Sequence, residues 1–276
     1  MPRVALVAAN VFRGILSKRA LYVWAAAVVL MLLRSGPAIF MNEQNAQLTA
    51  FIRAGAISGA LDSWALLALA AAIFLGAASV GGEMVNKTIA TVLARPIRRW
   101  EFMVGHWLGV TLFSIVSLGI GLVLAGALAW YLGIEIDPGR AVIALAETIV
   151  AAMMFAAIGI AIGANSSIAL AAAVTVLLVF LPPIIKILVA DERPLQHYPG
   201  QVLDWVTPPG YTSHYQGIAW ADMPAPSNPR PGFRPRPRPV VDYPEARKRL
   251  SANLVYGVVY FLAGGLLFTR RDVRLG

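Results

Sequence analysis

Long apolar stretches separated by short charged segments dominate the chain, the pattern of a protein that crosses a membrane several times. Residues 1–19 differ, because their apolar side chains recur at helical spacing among polar ones, which predicts an amphipathic surface helix. Six spans are predicted after it: one each within residues 20–33, 54–82, 102–134 and 251–269, and two within 141–185 around a small polar break at 163–167. The predicted fold is an all-α membrane protein with six transmembrane helices.

Composition supports this fold, because 58% of the residues are hydrophobic and 13% are charged, whereas soluble domains carry roughly 25% charged residues. In a soluble protein a net charge of +9 would suggest nucleic acid, but here Lys and Arg flank the spans. We therefore interpret the charge as a determinant of topology and expect no nucleic-acid partner. With no cysteine and three histidines, thiolate chemistry is excluded and a metal site is not expected.

Basic residues concentrate in three segments: the N-terminal segment, the loop at residues 82–105 and the C-terminal tail. Because Lys and Arg in short loops stay on the cytoplasmic side, both termini and this loop are predicted to be cytoplasmic. Residues 191–250, between the fifth and sixth spans, then form a long outer loop.

The outer loop holds most of the 18 prolines, in runs such as residues 229–239 that alternate Pro with Arg. Such a run favours polyproline II and cannot form a packed core. A stiff spacer is the simpler interpretation, and docking of an extracytoplasmic protein or of anionic headgroups is the alternative.

No catalytic motif stands out. Residues 81–88, GGEMVNKT, fail as a phosphate-binding loop because Asn86 replaces the glycine before the lysine and Glu83 would repel phosphate. GxSxG and HExxH motifs and close carboxylate pairs are also missing from the spans. We therefore expect a protein that is not an enzyme and that binds no cofactor itself.

The cytoplasmic loop at residues 82–105 contains a short helix with an apolar face, ended by Arg95-Pro96. Composition alone leaves a solvated loop or a docking element. The loop resembles the signature region of the ABC type-2 permease family through Glu83, Thr88, Ala94-Arg95-Pro96, Arg99 and Gly105. Lys87 and His106 depart from the family pattern, as does the proline-rich outer loop. The amphipathic start, the six spans and the ending Phe268-Thr269-Arg270-Arg271-Asp272 extend the resemblance over nearly the whole chain.

The resemblance implies one transmembrane domain over residues 1–276, in the inner membrane of a bacterium. It implies a homo- or heterodimer of permease subunits, export of a substrate, and cytoplasmic ATPase subunits that bind ATP and Mg. The loop at 82–105, hereafter the coupling loop, would contact the ATPases through Glu83, Thr88, Arg95, Pro96, Arg98 and Arg99. Closure of the ATPases would then move the permease halves as rigid bodies.

Asp62, Glu147 and Lys186 are charges within apolar spans, which are costly at the middle of a membrane. Glu147 and Lys186 flank the break at 163–167 at similar separations, so antiparallel spans would place them at similar depth. A structural ion pair or snorkelling side chains is one interpretation, and a polar lining of the translocation path is the other.

Two further functions stay open on the residues alone. The chain could be a scaffold that anchors an extracytoplasmic assembly through residues 191–250. It could also be an intramembrane enzyme or a secondary transporter with Glu147 as a proton relay.

Overall fold

The computed structural model describes residues 3–16, 46–85, 98–189 and 243–270, together with residues 22, 24–25, 28–29, 31–33 and 36. Within these ranges the side chains of residues 46–47, 83–85, 179–189 and 243–245 are not described. The helices are α1 (Arg3–Ile15), α2 (Ala46–Val85), α3 (Arg99–Tyr131), α4 (Pro138–Gly163), α5 (Ile168–Val189) and α6 (Tyr243–Arg270). The described residues thus form an all-helical fold.

Four of these helices are long and apolar enough to cross a membrane, over Leu48–Gly82, Arg99–Tyr131, Pro138–Gly163 and Ala246–Arg270. They correspond to the second, third, fourth and sixth predicted spans, so a multi-pass membrane fold is confirmed. Helix α5 corresponds to the fifth predicted span. The first predicted span, over residues 20–33, lies largely outside the described residues.

The connection between α3 and α4 shows how local sequence ends one helix and begins the next. Gly133 adopts φ 68°, a left-handed conformation that glycine accommodates without steric cost. Asp137 then caps α4, since its Oδ1 accepts hydrogen bonds from the N–H groups of Gly139 (2.9 Å) and Arg140 (3.3 Å). Pro138 occupies the first turn, where no intrahelical N–H bond is required.

Helices α2 and α4 pack with their backbones almost in contact. A Cβ added at Gly76 would lie 2.8 Å from the carbonyl oxygen of Ala156, and one at Gly163 would lie 2.5 Å from that of Ala77. Small residues allow this approach, which is how apolar helices gain van der Waals contact inside a membrane. Since position numbers rise together along both helices, α2 and α4 run in the same direction.

The remaining packing registers give the direction of each neighbour. Gly257 and Gly264 of α6 lie against Met154 and Ala161 of α4, so α6 runs parallel to α4. Helix α3 is antiparallel to α2, because Trp64 bonds to Ser117 while Val80 packs with Phe102. Helix α5 is also antiparallel to α2, which places Ile168 beside Gly81 and Ala171 beside Ala77. Helices α2, α4 and α6 therefore point one way, and α3 and α5 the other.

Helix α1 packs along the beginning of α3. A Cβ on Gly105 would lie 2.5 Å from Val7 Cγ1, and a Cβ on Gly109 would lie 2.7 Å from Val11 Cβ. From the first contact to the second, the position moves forward by one turn on both helices, so α1 and α3 run in the same direction there. The predicted amphipathic helix in residues 1–19 is therefore present as α1. Part of its apolar face packs against α3, where Val7 is buried, so lipid alone does not hold it at the surface.

Candidate coupling site and intramembrane charges

Both attachment points of the coupling loop lie at one end of the bundle. Helix α2 ends at Val85 and α3 begins at Arg99, and these helices are antiparallel. We call this the loop end, and the opposite end the far end. Of the predicted coupling residues, Glu83 lies in the last turn of α2 with its side chain not described. Thr88, Arg95 and Pro96 fall outside the described residues, and Arg98 and Arg99 are described.

Arg98 precedes the first turn of α3 and has an exposed side chain. Its backbone N–H donates to the Glu101 carboxylate with an N···Oε2 distance of 2.8 Å. A carboxylate at this position satisfies a donor and complements the positive end of the helix dipole. Glu101 therefore fixes where α3 begins and leaves the Arg98 side chain at the surface of the loop end.

Arg99 contacts the last turn of α6. Its Nη1 donates to the carbonyl oxygens of Phe268 (3.3 Å) and Thr269 (3.1 Å), and its guanidinium carbon lies 5.9 Å from the centroid of the Phe268 ring. The final carbonyls of a helix lack intrahelical donors and carry partial negative charge, so a guanidinium there is favourable. Arg99 joins the end of the coupling loop to the end of α6, 170 residues later.

Beneath Arg99 an apolar cluster joins four helices at the loop end. Its buried members come from α2, α3, α4 and α6: Val80, Phe102, Met103, Ile160 and Phe268, together with Ala164 after α4. His106, which departs from the family pattern, is also buried here, and its Nδ1–H donates to the Phe102 carbonyl at 2.9 Å. Displacement of the first turn of α3 would therefore be transmitted to α2, α4 and α6.

The intramembrane charges are Asp62 on α2, Glu147 on α4 and Lys186 on α5. The Asp62 and Glu147 side chains are 9% and 7% exposed. The contact of Gly81 with Gly163 sets the register of α2 and α4, and it places Asp62 and Glu147 within about one turn of each other in depth. The Lys186 side chain lies outside the described part, so the predicted Glu147–Lys186 pair stays a prediction.

No group of three or more His, Asp or Glu side chains that could hold a metal ion occurs among the described residues. Sequence reasoning missed the contact of Arg99 with α6 and the contact of α1 with α3. The Gly105-x-x-x-Gly109 spacing was the available signal for the second, because it leaves a groove for a neighbouring helix.

Comparison with known proteins now adds to this geometry. The model of a family described as "ABC-2 family transporter protein" matches residues 6–273. The predicted resemblance to ABC type-2 permeases is confirmed by this match. A search of curated proteins found no match to the chain.

Proposed function

This chain belongs to the ABC-2 family of transporter proteins, and we propose that it is the permease subunit of an exporter powered by separate ATPase subunits. The match over residues 6–273 carries the proposal, since it includes the coupling loop, most of α1 and all of α2 to α6. In this proposal six spans cross a bacterial inner membrane with both termini inside. A second permease subunit completes the pathway, and ATP and Mg bind only to the ATPases.

The packing at the loop end supports a specific route for coupling. Two cytoplasmic ATPases would bind residues 86–97 and the exposed Arg98 side chain. Arg99 and the cluster around Phe102 and Phe268 would carry the displacement into α6, α4 and α2. Because the interiors of helix bundles are close-packed, these helices would move as a body rather than deform one by one.

The intramembrane carboxylates fit a role in the pathway. Asp62 and Glu147 lie at similar depth in the half of the bundle toward the far end, where a charge is retained only at considerable cost. With two subunits side by side, we expect these side chains to contribute polarity to the route of the substrate. The competing secondary-transporter hypothesis requires Glu147 to work without any ATPase.

The test is capture of the tagged full-length chain from its native membrane in mild detergent, followed by identification and assay of any co-purifying ATPase. We expect Arg98→Glu to lower ATPase recovery by about tenfold, which corresponds to about 1.4 kcal/mol. Arg247→Glu is the matched control, because Arg247 is equally exposed but lies at the far end. Equal recovery with both variants, or no ATPase with the wild type, would contradict the proposal.

A further inference from the structure

A cleft of about 130 Å³ lies where α3, α4 and α6 meet. Trp107, Met153, Met154, Asn253, Gly257 and Phe261 form its inner wall, and Val258 and Leu262 lie at its edge. The edge residues are 55% and 60% exposed, whereas Gly257 and Met154 are buried, so the cleft opens sideways through the surface of α6. In a membrane-spanning helix this surface faces the apolar interior of the bilayer.

The aromatic side of the cleft is preorganised. Trp107 Nε1–H donates to the carbonyl oxygen of Met153 at 2.9 Å, and its ring centroid lies 5.6 Å from that of Phe261. This bond satisfies the indole donor, so Trp107 presents only apolar surface to an occupant. The two rings and the Met153 and Met154 side chains therefore favour an alkyl segment.

Asn253 breaks this apolar pattern. Its side chain is 5% exposed, and its Oδ1 is buried with no hydrogen-bond partner among the residues that the structure describes. A buried amide oxygen without a donor is unfavourable, so its presence in a spanning helix calls for an explanation. Because the terminal torsion of asparagine is broad, rotation about it can bring this oxygen to a donor seated in the cleft.

We propose that the cleft binds a membrane-dissolved long-chain alcohol, with the alkyl chain against Trp107 and Met154 and the hydroxyl donating to Asn253 Oδ1. The volume resembles that of cavities that hold a benzene-sized group, so it accommodates the hydroxyl-bearing part of a chain while the remainder lies among lipid tails. The unpartnered acceptor selects an alcohol over a plain hydrocarbon. This proposal goes beyond the transport function and concerns binding by this chain alone.

The test uses the full-length chain in phosphatidylcholine vesicles and two diazirine-bearing probes, a C12 alcohol and its methyl ether. Cross-linked residues are mapped by mass spectrometry and normalised to labelling at Leu266 and Leu267, which are about 60% exposed on α6. We expect the alcohol to label the cleft residues roughly three- to tenfold more than the ether, because only the alcohol donates a hydrogen bond. Asn253→Leu should reduce alcohol labelling to the level of the ether.

A second pair of variants does not depend on Asn253. Val258→Trp should lower labelling by both probes at least threefold, because Val258 lies at the edge of the cleft. Val259→Trp is the matched control, since Val259 is 56% exposed and does not line the cleft. Equal labelling of the cleft by alcohol and ether, an unchanged ratio in Asn253→Leu, or an alcohol preference at Leu266 and Leu267 as large as that in the cleft would overturn the proposal.

Discussion

Helix α6 packs on α4 in two different ways along its length. Toward the loop end, Gly264 closes directly onto Ala161, Phe268 is fully buried and Arg99 bonds to the last carbonyls. Toward the far end, a Cβ added at Gly257 would lie 3.3 Å from the Met154 Cα, a looser approach than at Gly264, and a cleft opens next to it beside an amide oxygen that has no hydrogen-bond partner among the described residues. One helix pair thus combines a rigid joint with an adaptable pocket. Rigidity lies where force from an ATPase would enter, and adaptability lies where a membrane-dissolved molecule could bind.

The largest effect should come from disrupting the rigid joint at Gly264. A Cβ there would lie 2.5 Å from the Ala161 Cα, a backbone atom that cannot give way, so Gly264→Leu should cost about 3 kcal/mol or more. We expect little monodisperse protein by size-exclusion chromatography in mild detergent. Gly126→Leu on α3 is the control, because no atom of the described residues lies within 4 Å of a Cβ added there. Normal yields of both variants would contradict the close packing.

Removing the guanidinium of Arg99 should have the next largest effect. Arg99→Gln loses the positive charge at the end of α6 and the contact with the Phe268 ring, which together contribute about 1 to 2 kcal/mol. The thermal unfolding midpoint in detergent should fall, and the loss should shrink at high salt. Arg98→Gln, at an exposed neighbour, should leave the midpoint within error.

At the adaptable pocket, one substitution should stabilise the fold. Asn253→Leu replaces a buried amide, whose oxygen has no donor in the described part of the chain, with an apolar side chain of similar size, which should raise stability by about 1 kcal/mol. The unfolding midpoint should rise in vesicles without an alcohol and lose its dependence on added long-chain alcohol. A lower midpoint would show that the amide is already satisfied in the native state.

The smallest effect is expected at Gly257. Its added Cβ would lie 3.3 Å from the Met154 Cα, so α4 would have to shift by a few tenths of an ångström, while alanine favours the helix by up to about 1 kcal/mol. The steric cost of the added Cβ and the higher helix propensity of alanine oppose each other, so Gly257→Ala should change the free energy of unfolding by less than about 1 kcal/mol. Gly264→Ala, compared by the same thermal assay, should be clearly destabilised. Equal effects would show that the two halves of the contact do not differ.

Sequence pattern predicted the long helices because apolar length is a property of a local segment. The polar break at 163–167 likewise separates α4 from α5. Helix α6 begins at Tyr243, within the segment predicted as outer loop. The loop was predicted to extend to residue 250 because Arg247, Lys248 and Arg249 are charged, yet Arg and Lys are good helix formers. Charged residues of this kind lengthen a helix beyond its apolar segment, and the hydrophobic pattern of the sequence gives no sign of the extension.

Contacts between distant segments could not be predicted in this way. The amphipathic pattern of α1 shows that one face is apolar, but it does not show that Val7 and Val11 meet Gly105 and Gly109. The distribution of basic residues placed Arg99 in a cytoplasmic loop and the resemblance gave it a coupling role, but its contact with Thr269 depends on how α3 and α6 pack. The cleft arises from three helices at once, so no single segment carries its signal.

The most direct test of the central claim is site-specific cross-linking from the loop end in intact cells. The chain has no cysteine, so Arg98→Cys and Arg247→Cys each provide a single reactive thiol, at the loop end and the far end respectively. With a membrane-permeant maleimide cross-linker, we predict that Arg98→Cys captures a nucleotide-binding ATPase and that Arg247→Cys does not. Capture of the ATPase from the far end, or from neither position, would contradict the account.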